Sequence, residues 1–116
     1  MLTISHRFHG HGSLRYVYKN GEAVRSHKIT IKYTNNPHRK HSRFAVVISK
    51  KVLKSAVRRN RVRRRVYECI RLELPKLQPA HDVAVMVFSS EVETMPYTEL
   101  IELIRQLFTQ ADLYKK

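Results

Sequence analysis

Nine of the sixteen residues from Lys50 to Arg65 (KKVLKSAVRRNRVRRR) are Lys or Arg, and none is Asp or Glu. Cations at this density match a polyphosphate. Each phosphate that a Lys or Arg neutralises releases condensed counterions, so closely spaced cations give strong, salt-sensitive binding to nucleic acid. Arginine dominates the run, and its planar fork holds two phosphate oxygens at once or stacks on a base, whereas lysine acts as a hydrated point charge. A solvated helix face is the plain alternative, but such faces ordinarily mix acids among their bases.

Other groups that could do chemistry are sparser. His6, His9 and His11 alternate in a Gly-rich stretch without an obvious fourth ligand, which is a poor start for a metal site. His27, His38, His41 and His81 are scattered over strand ends and loops, where they add pH-dependent positive charge. Glu91 and Glu93 look like a solvated loop, whereas a metal-dependent nuclease needs carboxylates that converge around its ions. Catalytic and metal-ligating residues are therefore expected to be absent.

The chain has 116 residues, a formal net charge of +14 and one cysteine, which fits a single domain over 1–116. Residues 1–75 hold nineteen Lys and Arg against three acids, and residues 76–116 hold four against six, so the charge should be a patch. With neither a long apolar stretch nor an amphipathic helix carrying bulky anchors, no membrane partner is expected. The start, MLTISHRFHGHG, lacks the apolar core of a signal peptide, and the expected location is cytoplasmic. A lone Cys69 at a helical apolar position reads as a small buried residue.

These groups need elements to position them. Residues 13–19 suggest a short helix capped by Ser13 and stopped at Asn20 and Gly21. Glu22 to Arg25 suggests a short strand. In residues 27–33, Ile29, Ile31 and Tyr33 alternate with Lys28, Thr30 and Lys32, as in a half-buried strand. A loop over 34–42 and an apolar strand over 43–49 complete an expected hairpin. Ser55 is placed to cap a helix running to about Leu74, with Val62, Val66, Cys69 and Ile70 on its packed side. Arg61, Arg64, Arg65 and Glu68 fall largely opposite, while Arg59 and Arg63 project among the apolar positions and must emerge at an edge, either lining a groove or snorkelling. Residues 82–88 read as a strand covered on both faces and inside the sheet. Thr94 and Pro96 announce a last helix, with Leu100, Ile101, Ile104, Leu107 and Phe108 on its apolar side. The order αβββαβα makes an α+β sandwich.

The segment from Arg43 to Glu68 resembles the protein subunit of bacterial ribonuclease P. The signature is a strand ending in Ser49, Lys50 and Lys51, then Ala56 and Val57, then Arg59, Asn60 and Arg61 followed by Arg63 and Arg64. Tyr18 to Gly21, Asp82 to Phe88 and a C-terminal QLFTQADLYKK, similar to the family's last helix, extend the resemblance over nearly the whole chain. It implies an α/β sandwich with a four-stranded sheet, of the kind in the second domain of ribosomal protein S5, and a left-handed crossover around the arginine-rich helix, which general handedness rules would not predict.

Functionally, the resemblance implies an accessory subunit of a ribonucleoprotein endoribonuclease whose active site is RNA. Its partners would be ribonuclease P RNA and precursor tRNA, not DNA, and its cofactor Mg2+ held mainly by the RNA. Lys50, Arg59, Asn60, Arg61, Arg63, Arg64 and Arg65 carry over to the surface facing the catalytic RNA, and Tyr18, Lys32, Ser49, Lys51 and Tyr114 to a groove for the single-stranded 5′ leader. Aromatic faces with cations suit a leader of variable sequence. Leu14 replaces a frequent phenylalanine, Lys32 a tyrosine of some relatives and Tyr67 a frequent arginine, while Arg65 adds a cation, so leader affinity is expected to lean on charge more than on stacking. A structural RNA-binding protein of the ribosome shares the composition but has no reason to reproduce the Ser-Lys-Lys to Arg-Asn-Arg order. A DNA-reading helix would need a paired-helix or zinc module that is not recognisable here.

Overall fold

The computed structural model describes residues 11–36 and 41–115. Its elements are α1 (His11–Asn20), β1 (Glu22–Arg25), β2 (Ile29–Asn35), β3 (Arg43–Ile48), α2 (Ala56–Glu73), β4 (His81–Val87) and α3 (Tyr97–Gln110), with single 3-10 turns at Leu74–Lys76 and Ser90–Glu93. This is the expected αβββαβα order, an α+β fold with one four-stranded sheet.

The sheet order is β1-β2-β4-β3. β1 and β2 pair antiparallel, as do β2 and β4, whereas β3 and β4 run parallel. The expected hairpin of β2 with β3 is therefore not formed, because β4 lies between them. Its sequence explains the insertion. Val83, Ala84, Val85 and Val87 are all buried, so β4 excludes most apolar surface from water when it has a neighbour on each side and a layer over each face.

One face of the sheet carries Ile29, Ile31, Phe44, Val46, Ile48, Val83, Val85 and Val87, and packs with the apolar sides of α2 and α3 into the core. The stripe Val62, Val66, Cys69 and Ile70 of α2 is buried as expected, and burial pushes the Cys69 thiol up to about 11. Ser55 caps α2, its hydroxyl accepting from Arg58 N at 3.3 Å. From α3, Leu100, Ile104, Leu107 and Phe108 are buried and Ile101 partly so.

The opposite face is covered in part by α1, which packs on β2 and β4. Thr30 is buried there and Val17 fully so; β2 is thus covered on both faces at its start, not half-buried. α1 begins two residues before Ser13, which sits inside its first turn and is not its cap. Gly21 ends α1 as expected, its N–H donating to Val17 O at 2.8 Å. A Cβ at Gly21 would lie 2.4 Å from Val17 O and 3.0 Å from Tyr33 O, so the missing side chain is what lets the helix end meet β2.

Two boundaries shift for local reasons. Ser49 and Phe88 fall just outside β3 and β4, both exposed. QLFTQADLYKK is not helical throughout: α3 ends at Gln110, Asp112 turns the chain with φ 57°, and Tyr114 forms a bridge with Leu77. The end is held by Gln78 N to Leu113 O (2.8 Å) and Lys115 N to Lys76 O (2.8 Å), which pairs backbone groups of the two segments with each other.

Candidate nucleic-acid interface

The arginines of α2 divide by what they touch. Arg58, Arg61 and Arg65 recur at helical spacing and face the Ser90–Glu93 turn. Arg58 Nη2 lies 2.6 Å from Glu93 Oε1 and Arg61 Nη1 3.1 Å from Glu93 Oε2, with the Glu93 side chain only 4% exposed. Glu93 is therefore not the solvated loop acid its sequence context suggests. The hydrogen bond from Arg58 holds its carboxyl below the usual carboxylate range; burial opposes this, and the charges of Arg58 and Arg61 reinforce it. Arg65 Nη1 donates to Val92 O at 2.6 Å and Nη2 to Met95 O. Arg65 therefore does not lie opposite the packed side; it leans onto the turn before α3.

The remaining basic residues lie elsewhere. Arg59 Nη1 donates to Leu53 O (2.9 Å) and Lys54 O (2.7 Å), closing the loop that enters the helix. Arg63 Nη1 donates to Asn60 Oδ1 at 2.8 Å, so those two side chains are oriented as a pair. Arg64, Lys50, Lys51 and Lys54 are exposed and have no protein partner among the described residues. The result is a cationic surface made by one side of α2 and the Ser49–Ser55 loop, beside a stripe whose guanidiniums are tied to Glu93 and to backbone carbonyls.

Beside it, α1 leaves part of its face of the sheet uncovered, a strip that serves as the candidate trough. Strand register sets its floor: Lys32, Ala84 and Ala45 form one row across β2, β4 and β3, and Thr30, Met86 and Val47 the next. Side chains in one row share a face. Ala45, Val47 and Met86 are only half-buried. Tyr18 and Lys32 bound the trough on the helix side, with Lys32 Nζ 3.0 Å from Tyr18 O and 6.0 Å from the centre of the Tyr18 ring. That cation caps the end of α1 as well as facing the trough. Burial raises the Tyr18 phenol above its ordinary value. Ser49 continues the β3 side, and its carbonyl accepts from Val52 N and Leu53 N to form the turn that displays Lys50 and Lys51.

Tyr18, Lys32 and Ser49 are thus brought to one face with Lys51 in the turn that follows, and Tyr114 is not. Tyr114 stands in the α2/α3 layer, its hydroxyl donating to Glu73 Oε1 at 2.8 Å and its ring 6.2 Å from that of Phe108. Glu73 is buried and also accepts from Arg105 Nε at 3.1 Å. Burial alone would raise the Glu73 carboxyl, but the hydrogen bonds from Arg105 and Tyr114 and the charges of Arg105 and Lys76 outweigh it and hold the group low. Burial, then the bond to Glu73, pushes the Tyr114 phenol up. Sequence reading missed Glu73 and Glu93 because an acid in a helix or loop carries no sign of being buried.

His6, His9 and His38 lie outside the described residues, as does the side chain of His11. His27 and His41 are exposed. No three of the described His, Cys, Asp and Glu residues converge where they could hold a metal ion, and no described helix is long and apolar enough to cross a membrane.

A family model described as Ribonuclease P matches residues 2–112. A ribonuclease P protein component from Coxiella burnetii is 47% identical over 77 residues, 66% of this chain and 62% of that protein. Its counterpart from Synechocystis is 30% identical over 97 residues, 84% of this chain and 77% of that protein. The chain thus spans less than two thirds of the Coxiella relative and about three quarters of the Synechocystis one. Among solved structures, a ribonuclease P protein from Staphylococcus aureus superposes with a TM-score of 0.83 at 21% identity, covering 95% of this chain and 98% of that one. One from Thermotoga maritima gives 0.72 at 23% identity, covering 81% and 87%. With the fold shared across these structures and the sequence match running through the Ser-Lys-Lys to Arg-Asn-Arg segment, the chain belongs to the bacterial ribonuclease P protein family.

Proposed function

We propose that this protein binds ribonuclease P RNA through the cationic surface of α2 and the Ser49–Ser55 loop, and that the trough on the α1 face receives the 5′ leader of precursor tRNA. The complex removes the leader by endonucleolytic hydrolysis and leaves the mature tRNA 5′ end. The observation that carries this reading is the separation on α2. Arg58, Arg61 and Arg65 are anchored to the Ser90–Glu93 turn and Met95, which fixes the helix and leaves Asn60, Arg63 and Arg64 outward with Lys50 and Lys51 beside them.

The protein's part is positioning. Cations carried on an anchored helix and its entry loop meet the phosphates, and the half-apolar trough floor suits bases or riboses of a single strand. The family resemblance assigns magnesium to the RNA, where it would activate water and stabilise the leaving oxygen. No step of hydrolysis is assigned to a residue of this chain.

The test is precursor-tRNA cleavage by ribonuclease P RNA at low magnesium, with and without the protein, beside a protein-only control. Correct cleavage only when both are present supports the reading. Tight RNA binding without rescue would place the protein among structural RNA binders, and cleavage by protein alone would overturn the assignment of catalysis to RNA.

A further inference from the structure

Phe88 is 55% exposed, one of few large apolar side chains left in water among the described residues. It follows β4 directly, and its N–H donates to Lys28 O at 2.9 Å. That bond continues the β2/β4 register one step past Ile29↔Val87. By strand alternation Phe88 shares its face with Ala84 and Met86, the floor of the trough. The parallel register of β3 and β4 ends at Ile48↔Val87, so one step further places Ser49 on the other flank of Phe88. The ring therefore stands at the open end of the trough, in a row with Lys28 and Ser49 and next to the turn that displays Lys50 and Lys51.

An exposed aromatic ring flanked by cations at the end of a shallow groove is the arrangement that holds single-stranded nucleic acid: the ring offers a face to a base, and the cations hold the phosphates on either side. Lys28 is tied to Glu91 at 3.3 Å, both side chains solvent-accessible, a pair that a phosphate could displace at little cost. We propose that Phe88 is a stacking platform for one base of the RNA strand lying in the trough, and that it sets which leader position is gripped most tightly. This rests on the assignment of the trough to the leader.

The experiment measures affinity of the reconstituted protein–RNA complex for precursor tRNAs whose leaders carry one abasic nucleotide at successive positions, beside leaderless tRNA. Phe88→Ala is expected to weaken leader-bearing substrate by about five- to tenfold, the lower end of base–aromatic stacking, and leaderless tRNA not at all. At one abasic position the further loss from Phe88→Ala should vanish, because ring and base act as a pair. Phe88→Leu keeps the apolar bulk without the ring face, so it should bind like Phe88→Ala while unfolding like the wild type, and Phe88→Trp should retain affinity. An equal loss at every abasic position, or wild-type affinity in both Phe88→Ala and Phe88→Leu, overturns the proposal while leaving the leader reading standing. A wild-type complex that does not distinguish leader-bearing from leaderless tRNA overturns both.

Discussion

The guanidinium of Arg65 lies 4.6 Å from the centre of the Tyr97 ring while donating to the carbonyls of Val92 and Met95. Three contacts from one side chain tie the middle of α2 to the start of α3. Arg64, its neighbour in sequence, makes none with the described residues. Arg65 therefore joins the two helices and Arg64 does not.

Arg65→Ala is expected to cost about 1.5–3 kcal/mol of stability, the usual scale for losing charge-assisted hydrogen bonds to part-buried carbonyls. Arg64→Ala should fall within about 0.5 kcal/mol of the wild type. Urea unfolding of the two variants checks this; equal midpoints would show the Arg65 contacts to be weak in solution.

RNA affinity should rank the arginines the other way. Arg63→Ala combined with Arg64→Ala is expected to weaken binding to ribonuclease P RNA and to lower the slope of log affinity against log salt by about 1–2, while leaving the unfolding midpoint nearly unchanged. Replacing Arg59 and Arg61 is a less clean test, because Arg59 closes the Leu53–Lys54 loop and Arg61 pairs with Glu93. A salt slope unmoved by the outward pair would remove those two side chains from the interface.

How far these roles were readable in advance depends on the range of the contact. The cap at Ser55 and the stripe Val62, Val66, Cys69 and Ile70 follow from residues three or four apart, and the structure matches them. Arg64 and Arg65 could not be told apart, because what distinguishes them is a turn 27 and 30 residues further along the chain. For the same reason β4 was recognised as a buried inner strand but not as the separator of β2 and β3: burial is written in composition, partnership is not. Of the residues expected in the groove, Tyr18, Lys32 and Ser49 share a face with Lys51 in the turn beside them, whereas the course of the chain after Gln110, and so the place of Tyr114, turns on a positive-φ residue that helical periodicity does not mark.

Acid should loosen the α2–turn contact. The Glu93 carboxyl is held below its ordinary value, so the stability it contributes is full above the unfolded carboxylate pKa of about 4.3 and is lost as pH falls through the lower folded value. Glu73 acts in the same direction. Denaturation midpoints measured from pH 7 down to pH 3 should fall on the acid side, and Glu93→Gln, already without that charge, should show a lower neutral plateau and a shallower acid decline. A parallel decline in variant and wild type would clear Glu93 of the effect.

Tyr114→Phe isolates one hydrogen bond. Losing the donor to buried Glu73 is expected to cost about 1 kcal/mol, with little change in affinity for leader-bearing substrate. A loss of affinity without a loss of stability would return Tyr114 to the leader contacts.

Gly21→Ala tests the docking of α1. The added Cβ meets backbone oxygens on α1 and β2 that cannot both move, so a cost of about 1–3 kcal/mol is expected, together with weaker leader binding as Tyr18 and Lys32 are displaced. Wild-type stability in thermal unfolding would show that the helix end shifts freely.

The place of β4 also sets a timetable. It is the last strand to leave the ribosome, yet it is the one both β2 and β3 pair with. Until His81–Val87 has emerged, the β1–β2 ribbon and β3 have no common partner, and the cationic helix between β3 and β4 has only β3 to pack on. The sheet therefore closes only after α2 has been made, and the helix meets its full packing surface last of all.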